Sequence, residues 1–394
     1  MAATQWPVTQ SPCYRSCCHY ISRMAGPLRW YCCGRDIFPA MLDAIANARH
    51  SVRLETYIYS DGRLGRQFVD ALLAAVKRNV RVCVLVDAFG SWGLPENYFD
   101  SLIAAGATVQ RFNRLTLWRF AVRDHRKLLV CDDQLAFVGG FNISDEYDGD
   151  GITSGWRDVG ACIENPVLVA ELTEAFDKLF SSAGSKHKPW KRFLYRRHNV
   201  IQCEGSSPRH PGFKPHSFPR LLRRDIGSAR DVQIVSAYFL PTYRLRRALM
   251  RAARRGARVR LILAGKSDVY ISQLAARNLY PRLLQAGVEI YEYEPQILHA
   301  KMICLGPVTY IGSANLDIRS LRLNYELILR FNDQAVTAGA NEIFDDMLKH
   351  SRRIEAVAWK KTLSFWQRWK YYWANFLLTR VDPFVALRQF RAKK

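Results

Sequence analysis

Long hydrophobic segments are missing from this chain of 394 residues. No stretch approaches the 18 consecutive apolar residues that a membrane-spanning helix needs. The N-terminal residues also lack the apolar core of a secretory signal. These two absences predict a protein that stays inside the cell and contacts a membrane only at its surface.

Acidic residues are scarce relative to basic ones. The chain has 35 aspartates and glutamates against 58 lysines and arginines, which gives a formal net charge of +23. Such a charge favours polyanionic partners, and nucleic acid, an anionic membrane and a phosphorylated substrate all qualify. Composition leaves these three classes open.

The cysteines lack the two well-spaced C-x-x-C pairs that would indicate a zinc site. Five of the ten lie within the first 33 residues, while Cys83, Cys131 and Cys304 lie in apolar, strand-like runs. Reduced thiols are the expected state in a cytosolic chain. We therefore predict no metal site, and we predict that residues 1–28 form a disordered extension.

The chain contains an internal duplication. The strand-like segment SVRLETYI at 51–58 corresponds to VQIVSAYF at 232–239, which places Tyr57 and Tyr238 at matching positions. In each copy an Ala-rich helical segment follows, and then a further strand-like run. Strands that alternate with helices predict an α/β protein, with a largely parallel or mixed sheet covered by helices in each copy.

Domain boundaries follow from this duplication and from the composition between the copies. We predict domains at 29–180 and 229–350. The intervening residues 181–228 are rich in Ser, Pro, Gly, His and Arg without sustained periodicity, which is typical of a basic linker. Residues 351–394 form a separate C-terminal region.

Each copy ends in a motif that begins with histidine. HRKLLVCDDQLAFVGGFN starts at His125, and HAKMICLGPVTYIGSAN starts at His299. Residues i and i+2 of a strand share a face, so Lys127 and Lys301 should project beside the two histidines. The glycine-rich ends of the motifs let backbone approach phosphate, and three side chains there offer donors to phosphate oxygens: Asn142, Ser313 and Asn315. Two such sets face to face would form a metal-free phosphoryl-transfer site.

The motif H-x-K-x4-D-x6-G-[GS]-x-N resembles that of the phospholipase D superfamily. The resemblance implies a duplicated phospholipase D-like fold, two mixed β-sheet domains flanked by helices, with one active site at their interface. It implies a catalytic set of five residues: His125, Lys127, Asp132, His299 and Lys301. The second motif departs from the pattern at Gly306, where the family has Asp. Gly306 and Pro307 are expected to supply the turn, and reduced or altered activity is the alternative.

The resemblance also implies an acid, about thirty residues downstream of each histidine, that orients the imidazole. In the first copy Asp158 follows His125, and in the second Glu326 follows His299. The alternative for each acid is an ordinary surface salt bridge. The implied reaction is a two-step transfer through a phosphohistidine, with attack assigned to His125 by family analogy. The symmetry of the sequence does not fix this order.

Three stretches, taken together, resemble bacterial cardiolipin synthases of the shorter type, without N-terminal membrane spans: 54–75, 139–147 followed by 156–166, and 236–256 with 312–327. That resemblance implies a phosphatidyltransferase that joins two phosphatidylglycerols, releases glycerol and needs no cofactor. Phosphatidylethanolamine as donor remains open. Hydrolysis of phospholipids and a nuclease or phosphodiesterase activity are the alternatives, since fold alone does not give the substrate.

The C-terminal region points to a lipid surface rather than to nucleic acid. Between Trp359 and Leu377, apolar residues recur at helical spacing, with basic residues mainly off that face. This pattern predicts a helix in the interface of an anionic membrane, on the cytoplasmic side of a bacterial cell membrane. An ordinary helix packed on the core is the alternative. Residues 114–123 have two possible interpretations: they form a rim over which lipid chains reach the site, or they form a buried strand or helix.

Partners follow from these observations. An anionic phospholipid membrane and phosphatidylglycerol are expected, and nucleic acid is not, because the aromatic residues collect in the terminal helix rather than along a groove. A monomer should suffice for catalysis, since both motifs lie in one chain.

Overall fold

The computed structural model describes residues 24–25, 28–113, 122–184, 198–204, 207–208 and 217–381. The predictions for the extension at 1–28 and for the patch at 114–123 therefore lie mostly outside the described residues. The last part of the C-terminal region, from 382 onward, lies outside them as well.

The first half of the chain folds into an eight-stranded sheet in the order β1-β2-β8-β7-β6-β3-β4-β5. Its strands are β1 Met24–Ala25, β2 Leu28–Tyr31, β3 Ser51–Thr56, β4 Arg81–Asp87, β5 Thr108–Phe112, β6 Leu128–Cys131, β7 Leu135–Gly139 and β8 Gly160–Ile163. Its helices are α1 Gly34–Asn47, α2 Arg63–Lys77, α3 Asp100–Ala104 and α4 Pro166–Gly184. A short 3-10 helix covers Asp145–Tyr147.

The second half folds into a nine-stranded sheet in the order β10-β9-β16-β15-β14-β11-β12-β13-β17. Its strands are β9 His198–Glu204, β10 Ser207–Pro208, β11 Asp231–Ser236, β12 Arg258–Ala264, β13 Glu289–Tyr293, β14 Lys301–Leu305, β15 Val308–Gly312, β16 Glu326–Asn332 and β17 Ser351–Arg353. Its helices are α5 Phe218–Ser228, α6 Tyr243–Arg254, α7 Tyr270–Arg277, α8 Tyr280–Gln285, α9 Ile318–Arg322, α10 Gln334–Lys349, α11 Ala356–Thr362 and α12 Phe365–Phe376. A π-helical turn, Leu377–Val381, follows α12.

The two sheets repeat one pattern of strand pairing. β3, β4 and β5 pair in parallel, whereas β6, β7 and β8 continue the sheet from β3 as antiparallel neighbours. In the second half β11, β12 and β13 are parallel, and β14, β15 and β16 are antiparallel. Both sheets are therefore mixed, as the duplication in the sequence predicts.

One apolar core is shared by the two halves. Leu128 and Val130 of β6 belong to it together with Met302 and Cys304 of β14, and buried faces of α4 and α10 complete it. The alternate residues of the same strands, such as Leu129, belong to a separate core beneath the helices of their own half. Because successive strand residues point to opposite faces, the two sheets pack against each other on one face and against helices on the other.

The predicted linker at 181–228 is wrong for two segments. Strand β9 pairs in parallel with β16, and it buries Ile201 and Cys203 in the shared core. Helix α5 buries an apolar stripe that contains Phe218, Leu222 and Ile226. The apolar residues of this stripe recur at helical spacing in the sequence, but the arginines between them favoured the interpretation as a basic linker.

The C-terminal region is also more segmented than predicted. The predicted helix is interrupted between α11 and α12. There the Ser364 hydroxyl accepts a hydrogen bond from the backbone N–H of Gln367 and caps the N-terminus of α12. Helix α12 lies on α7, and the Asn375 side chain donates to the carbonyl of Ala275 at 3.1 Å. Among the residues described, no helix has both the length and the apolarity to cross a bilayer.

Candidate active site

Backbone hydrogen bonds across the two halves bring the two motifs together. The N–H of His125 donates to the carbonyl of Tyr325 at 3.0 Å, and the N–H of His299 donates to the carbonyl of Arg157 at 2.7 Å. Each histidine lies just before a strand, β6 in one half and β14 in the other. Both side chains are buried, with exposed fractions of 7% and 4%. The two half-sites therefore face each other at the interface between the sheets.

Each histidine takes its carboxylate partner from the opposite half. Glu326 Oε2 lies 3.1 Å from His125 Nδ1, and Asp158 Oδ2 lies 2.6 Å from His299 Nδ1. The sequence predicted the two acids, but it paired each with the histidine of its own half. The pairing is exchanged because the residue before each acid bridges to the residue before the opposite histidine: Arg157 pairs with Leu298, and Tyr325 pairs with Asp124.

The Gly-x-x-Asn segments of the two motifs contact these two acids. A side chain on Gly140 would collide with the Asp158 carboxylate, since an added Cβ would lie 2.1 Å from Oδ1. At the matching position, the Ser313 hydroxyl donates to Glu326 Oε2. Gly140 thus makes room for one acid and Ser313 holds the other. In this structure the Ser313 hydroxyl proton is used by Glu326, and the phosphate-binding role predicted for Ser313 stays a prediction.

The two motif asparagines are both buried. Asn142 Oδ1 accepts from the N–H of Ile58 at 3.1 Å, and its Nδ2 donates to the Tyr147 hydroxyl at 2.6 Å. That hydroxyl lies 3.3 Å from His299 Nε2. Asn142 therefore reaches the site through Tyr147. Asn315 is 2% exposed, and its Oδ1 has no hydrogen-bond partner within the described residues.

The two lysines place buried positive charge beside the histidines. Lys127 Nζ donates to the carbonyl of His125 at 2.7 Å, and Lys301 Nζ lies 2.8 Å from His299 Nδ1. Burial, together with the neighbouring Lys301 ammonium, lowers the pKa of Lys127 to about 7. Burial also lowers the pKa of Lys301, although nearby carboxylates such as Asp158 oppose this. The two buried ammonium groups repel each other, and a phosphate anion bound between them would stabilise the charged form of both.

Burial also favours neutral imidazoles. It lowers the pKa of His125 well below the usual range, and the ammonium groups of Lys127 and Lys301 add to the shift. For His299, burial and Lys301 lower the pKa, while Asp158 opposes them. A carboxylate only accepts, so the proton of each neutral ring lies on Nδ1 and the lone pair on Nε2.

Aromatic residues that the sequence analysis did not assign to the site surround both histidines. The Tyr57 ring lies 5.0 Å from that of His125, and the rings of Tyr147, Trp156 and Tyr238 lie 5.2, 5.8 and 6.3 Å from that of His299. The matching positions of Tyr57 and Tyr238 in the duplication were the available signal. These rings exclude water and strengthen the electrostatic interactions between the buried charges.

Asp132, predicted to be catalytic, lies away from the site. It occupies the turn after β6, roughly 20 Å along the chain from His125 at the rise of an extended strand. Its carboxylate accepts from the backbone N–H groups of Arg49, His50 and Ser51 at 2.7–2.9 Å. Burial alone would raise the pKa of Asp132, but these bonds hold it below its usual value. The prediction is corrected: Asp132 fastens the β6–β7 turn to the start of β3.

The substitution at Gly306 has a conformational explanation. Asp132 has a φ of 55°, and Gly306, its counterpart in the second motif, has a φ of 61°. Glycine adopts this left-handed conformation without steric cost. The turn therefore survives the loss of the carboxylate, and the histidine site, at the other end of the strand, is untouched.

We expect Asp132→Ala to weaken folding rather than catalysis. Loss of the acceptor for three backbone N–H groups should lower the free energy of unfolding by about 1 to 3 kcal/mol. Denaturant titration would measure the loss, and Asp132→Asn, which keeps one oxygen acceptor, should show a smaller one. A fall of more than tenfold in kcat for the folded variant would contradict this structural role and indicate that Asp132 takes part in catalysis.

Potential metal ligands are not grouped in the described part of the chain. There, no cluster of three or more His, Cys, Asp or Glu side chains has a geometry that could hold a metal ion. The arrangement instead offers two imidazoles, two carboxylates and two ammonium groups.

Comparisons with known families agree with this geometry. Residues 41–180 and 222–348 match the family described as "Cardiolipin synthase, PLD-like domain". This chain belongs to that family. The predicted membership in the phospholipase D superfamily is thereby confirmed, and the two matched segments of the cardiolipin synthase family contain one histidine motif each.

Individual relatives in the cardiolipin synthase family cover most of the chain. Cardiolipin synthase B of Salmonella typhimurium is 33% identical over 323 residues, which span 76% of this chain and 75% of the relative. Cardiolipin synthase 1 of Bacillus anthracis is 31% identical over 344 residues, which span 83% of this chain and 67% of the relative.

A solved structure confirms the predicted fold. Phosphatidylserine synthase from Haemophilus influenzae Rd KW20 superposes with a TM-score of 0.70, covering 92% of this chain and 95% of that one. The two sequences are 13% identical, so the likeness concerns the fold alone. Polyphosphate kinase from Porphyromonas gingivalis shares the fold more distantly, with a TM-score of 0.56 and 14% identity over 49% of its length.

Proposed function

We propose that this protein is a cardiolipin synthase that transfers a phosphatidyl group from one phosphatidylglycerol to another and releases glycerol. The carrying observation is the pair of buried histidines, each held by a carboxylate from the opposite half and flanked by a lysine. Family membership and the named relatives support the choice of substrate.

In the proposed first step, the lone pair of His125 Nε2 attacks the phosphorus of one phosphatidylglycerol. The bond from phosphorus to the glycerol oxygen breaks, and protonated His299 gives its proton to that oxygen, so glycerol leaves. The ammonium groups of Lys127 and Lys301 stabilise the charge on the phosphoryl oxygens. A phosphatidyl group remains on His125.

In the proposed second step, a hydroxyl of a second phosphatidylglycerol attacks this phosphorus. Its proton passes to His299, the bond from nitrogen to phosphorus breaks, and His125 returns neutral. One diester is exchanged for another, so the cycle consumes no water and needs no cofactor.

An asymmetry between the histidines supports this division of roles. Within the described residues, His125 Nε2 makes no hydrogen bond, so its lone pair is free to attack. His299 Nε2 instead lies 3.3 Å from the Tyr147 hydroxyl and 3.2 Å from Lys301 Nζ. Burial and Lys301 lower the pKa of His299, but the Asp158 carboxylate at 2.6 Å opposes them and stabilises the protonated form that the general acid role requires.

Purified protein incubated with liposomes of labelled phosphatidylglycerol tests the proposal. Cardiolipin and glycerol should form in equal amounts. Phosphatidic acid without cardiolipin would mean that water is the acceptor, and a labelled donor pool of phosphatidylethanolamine would show whether that lipid also serves. No turnover in protein shown to be folded would contradict the proposal.

The pH dependence of kcat/KM should be bell-shaped. Because His299, the proposed general acid, must be protonated and its pKa is lowered, its deprotonation contributes to the alkaline limb together with that of Lys127. Burial raises the pKa of Glu326 to about 7, so the carboxylate that orients His125 is lost by protonation as pH falls below that value. Lys127, with its pKa near 7, loses its charge as pH rises above it. Lys127→Arg stays charged at high pH and should make the alkaline limb less steep, because only His299 then loses its proton there. An unchanged alkaline limb in a folded, active Lys127→Arg variant would exclude Lys127 as its origin.

We propose a peripheral position on the cytoplasmic side of the bacterial cell membrane, with the monomer as the catalytic unit. Helix α12 supports it: Tyr371 and Ala374 are buried against the protein, whereas Trp366, Trp369 and Trp373 are 67%, 50% and 41% exposed. Exposed indoles beside cationic side chains are typical of helices that lie in the headgroup region. Both half-sites lie in one chain, so dimerisation is not needed to complete the site.

Replacing Trp366 and Trp369 together with alanine should weaken binding to anionic vesicles about thirtyfold. Burial of their exposed ring area in the interface contributes about 2 kcal/mol at 25 cal/mol per Å². Co-sedimentation would measure the change, and Ile103→Ala with Val167→Ala is a matched control, since these side chains are 49% and 54% exposed on the first half. Equal losses in both double variants would contradict an interfacial role for α12.

A further inference from the structure

Two adjoining cavities, of about 450 and 540 Å³, lie between α12 with its π-helical turn and the helices α6 and α8. They share five lining residues: Arg246, Leu279, Asn375, Thr379 and Arg380. We call them together the arginine cleft. None of the His–Lys set lines the cleft, so it is separate from the catalytic centre.

Four arginines line the cleft, and three of them, other than Arg322, give it an uncompensated positive charge. In the part of the chain that the structure describes, no carboxylate forms an ion pair with Arg246, Arg282 or Arg380. Arg246 is half-buried against the ring of Tyr243, and its Nε is buried without a hydrogen-bond partner. Burial and the neighbouring Arg282 guanidinium lower the pKa of Arg246. Like charges gathered in a concave site, with an unsatisfied donor, favour the binding of an anion.

The rest of the cleft is fixed and partly apolar. Asn375 is held by its bond to the carbonyl of Ala275, and the Thr379 hydroxyl donates to the carbonyl of Asn375 at 2.6 Å. Tyr372 and Phe376 line the second cavity with rings that are 57% and 39% exposed. A site with guanidinium groups at one side and exposed rings at the other suits an amphiphile whose polar end is a phosphate.

We propose that the arginine cleft binds the phosphate headgroup of one anionic phospholipid at a site separate from catalysis. The choice of a lipid over another phosphate ester rests on the proposed function and on the Trp-bearing face of α12 beside the cleft. The lipid phosphate takes paired N–H bonds from the guanidinium groups, and its acyl chains follow the exposed rings of α12 into the bilayer.

This site adjoins the second half-site. Leu240 and Ile318, which line the cleft, flank the loops after Tyr238 and Asn315. The N–H of Leu240 donates to the carbonyl of Leu316 at 2.9 Å, which ties the two loops together. A bound headgroup therefore contacts the scaffold of the second half-site without entering the catalytic centre.

A calorimetric titration of the protein with dihexanoyl phosphatidic acid, below the critical micelle concentration of this lipid, tests the proposal. The wild-type protein should show two saturable sites, one catalytic and one in the cleft. The triple variant Arg246→Gln, Arg282→Gln and Arg380→Gln should lose one of them, with at least tenfold weaker binding there. Its control removes three exposed arginines elsewhere, Arg49→Gln, Arg81→Gln and Arg254→Gln, and should keep both sites.

The outcomes separate this proposal from the proposed function. One site in the wild-type protein and none in the triple variant would support the cleft and contradict lipid binding at the catalytic centre. The same number of sites in both proteins, or an equal loss in the control, would overturn the cleft proposal. Displacement by inorganic phosphate at matched ionic strength, with an equal dissociation constant, would overturn the lipid as ligand.

Discussion

Replacement of His125 or His299 with alanine is expected to reduce cardiolipin formation at least about a thousandfold. Loss of a nucleophile or of a general acid removes a step that neither the lysines nor the opposite histidine can replace. Each histidine has its own carboxylate, and the backbone of each is anchored to the other half. The backbone bonds do not need the imidazoles, so both single variants should still fold, and the double variant should be no less active than the worse single one.

His50→Ala is the control for these variants, because this histidine is exposed and its backbone, not its ring, contacts Asp132. Quenching with denaturant at alkaline pH preserves a phosphohistidine and identifies the nucleophile, provided that the substrate is a phosphatidyl ester of p-nitrophenol labelled in its phosphatidyl group, whose leaving group needs no proton from His299. The label should remain on protein in His299→Ala and be missing from His125→Ala. If either variant kept more than a tenth of the normal rate, the single shared site would be excluded.

Because each histidine is paired with the carboxylate of the opposite half, Glu326 variants should behave like His125 variants, and Asp158 variants like His299 variants. Glu326→Gln and Asp158→Asn should each lower kcat by about 10² to 10⁴, because a neutral amide no longer fixes the proton of the ring or stabilises its cation. KM should change little, since neither acid is expected to contact the lipid.

A phosphatidyl ester of p-nitrophenol separates the two pairs, because this leaving group needs no proton. Glu326→Gln should lose the burst of p-nitrophenol as His125→Ala does, whereas Asp158→Asn should keep the burst as His299→Ala does. Pairing within each half predicts the opposite match. Glu174→Gln, which alters an exposed carboxylate next to Lys178, is the control.

These variants concern the part of the site that the linear sequence could not specify. The spacing in each motif identified His125 and His299, and the downstream acids were found as well. Their partners were assigned by proximity in sequence, whereas the closest carboxylate to His125 lies 201 positions away. Sequence separation carries no information about contacts that form when two sheets pack face to face.

Asp132 and Ser313 show a second limit. Both belong to a motif that resembles a catalytic pattern, and pattern alone assigns every member to the chemistry. Asp132 instead fastens a turn, and Ser313 holds Glu326. The motif therefore contains residues that stabilise the fold as well as residues that take part in the reaction.

The sequence by itself determined the duplication, the mixed α/β architecture and the presence of two His–Lys sets, because strand and helix periodicity and motif spacing are local properties. Tertiary structure alone decided that β9 and α5 belong to the fold, that the acids cross between halves, and that Tyr147 and Trp156 enclose His299. It also gathered Arg246, Arg282 and Arg380 around one cleft. Such contacts depend on how buried faces meet, and that choice is made by the packing of the whole chain.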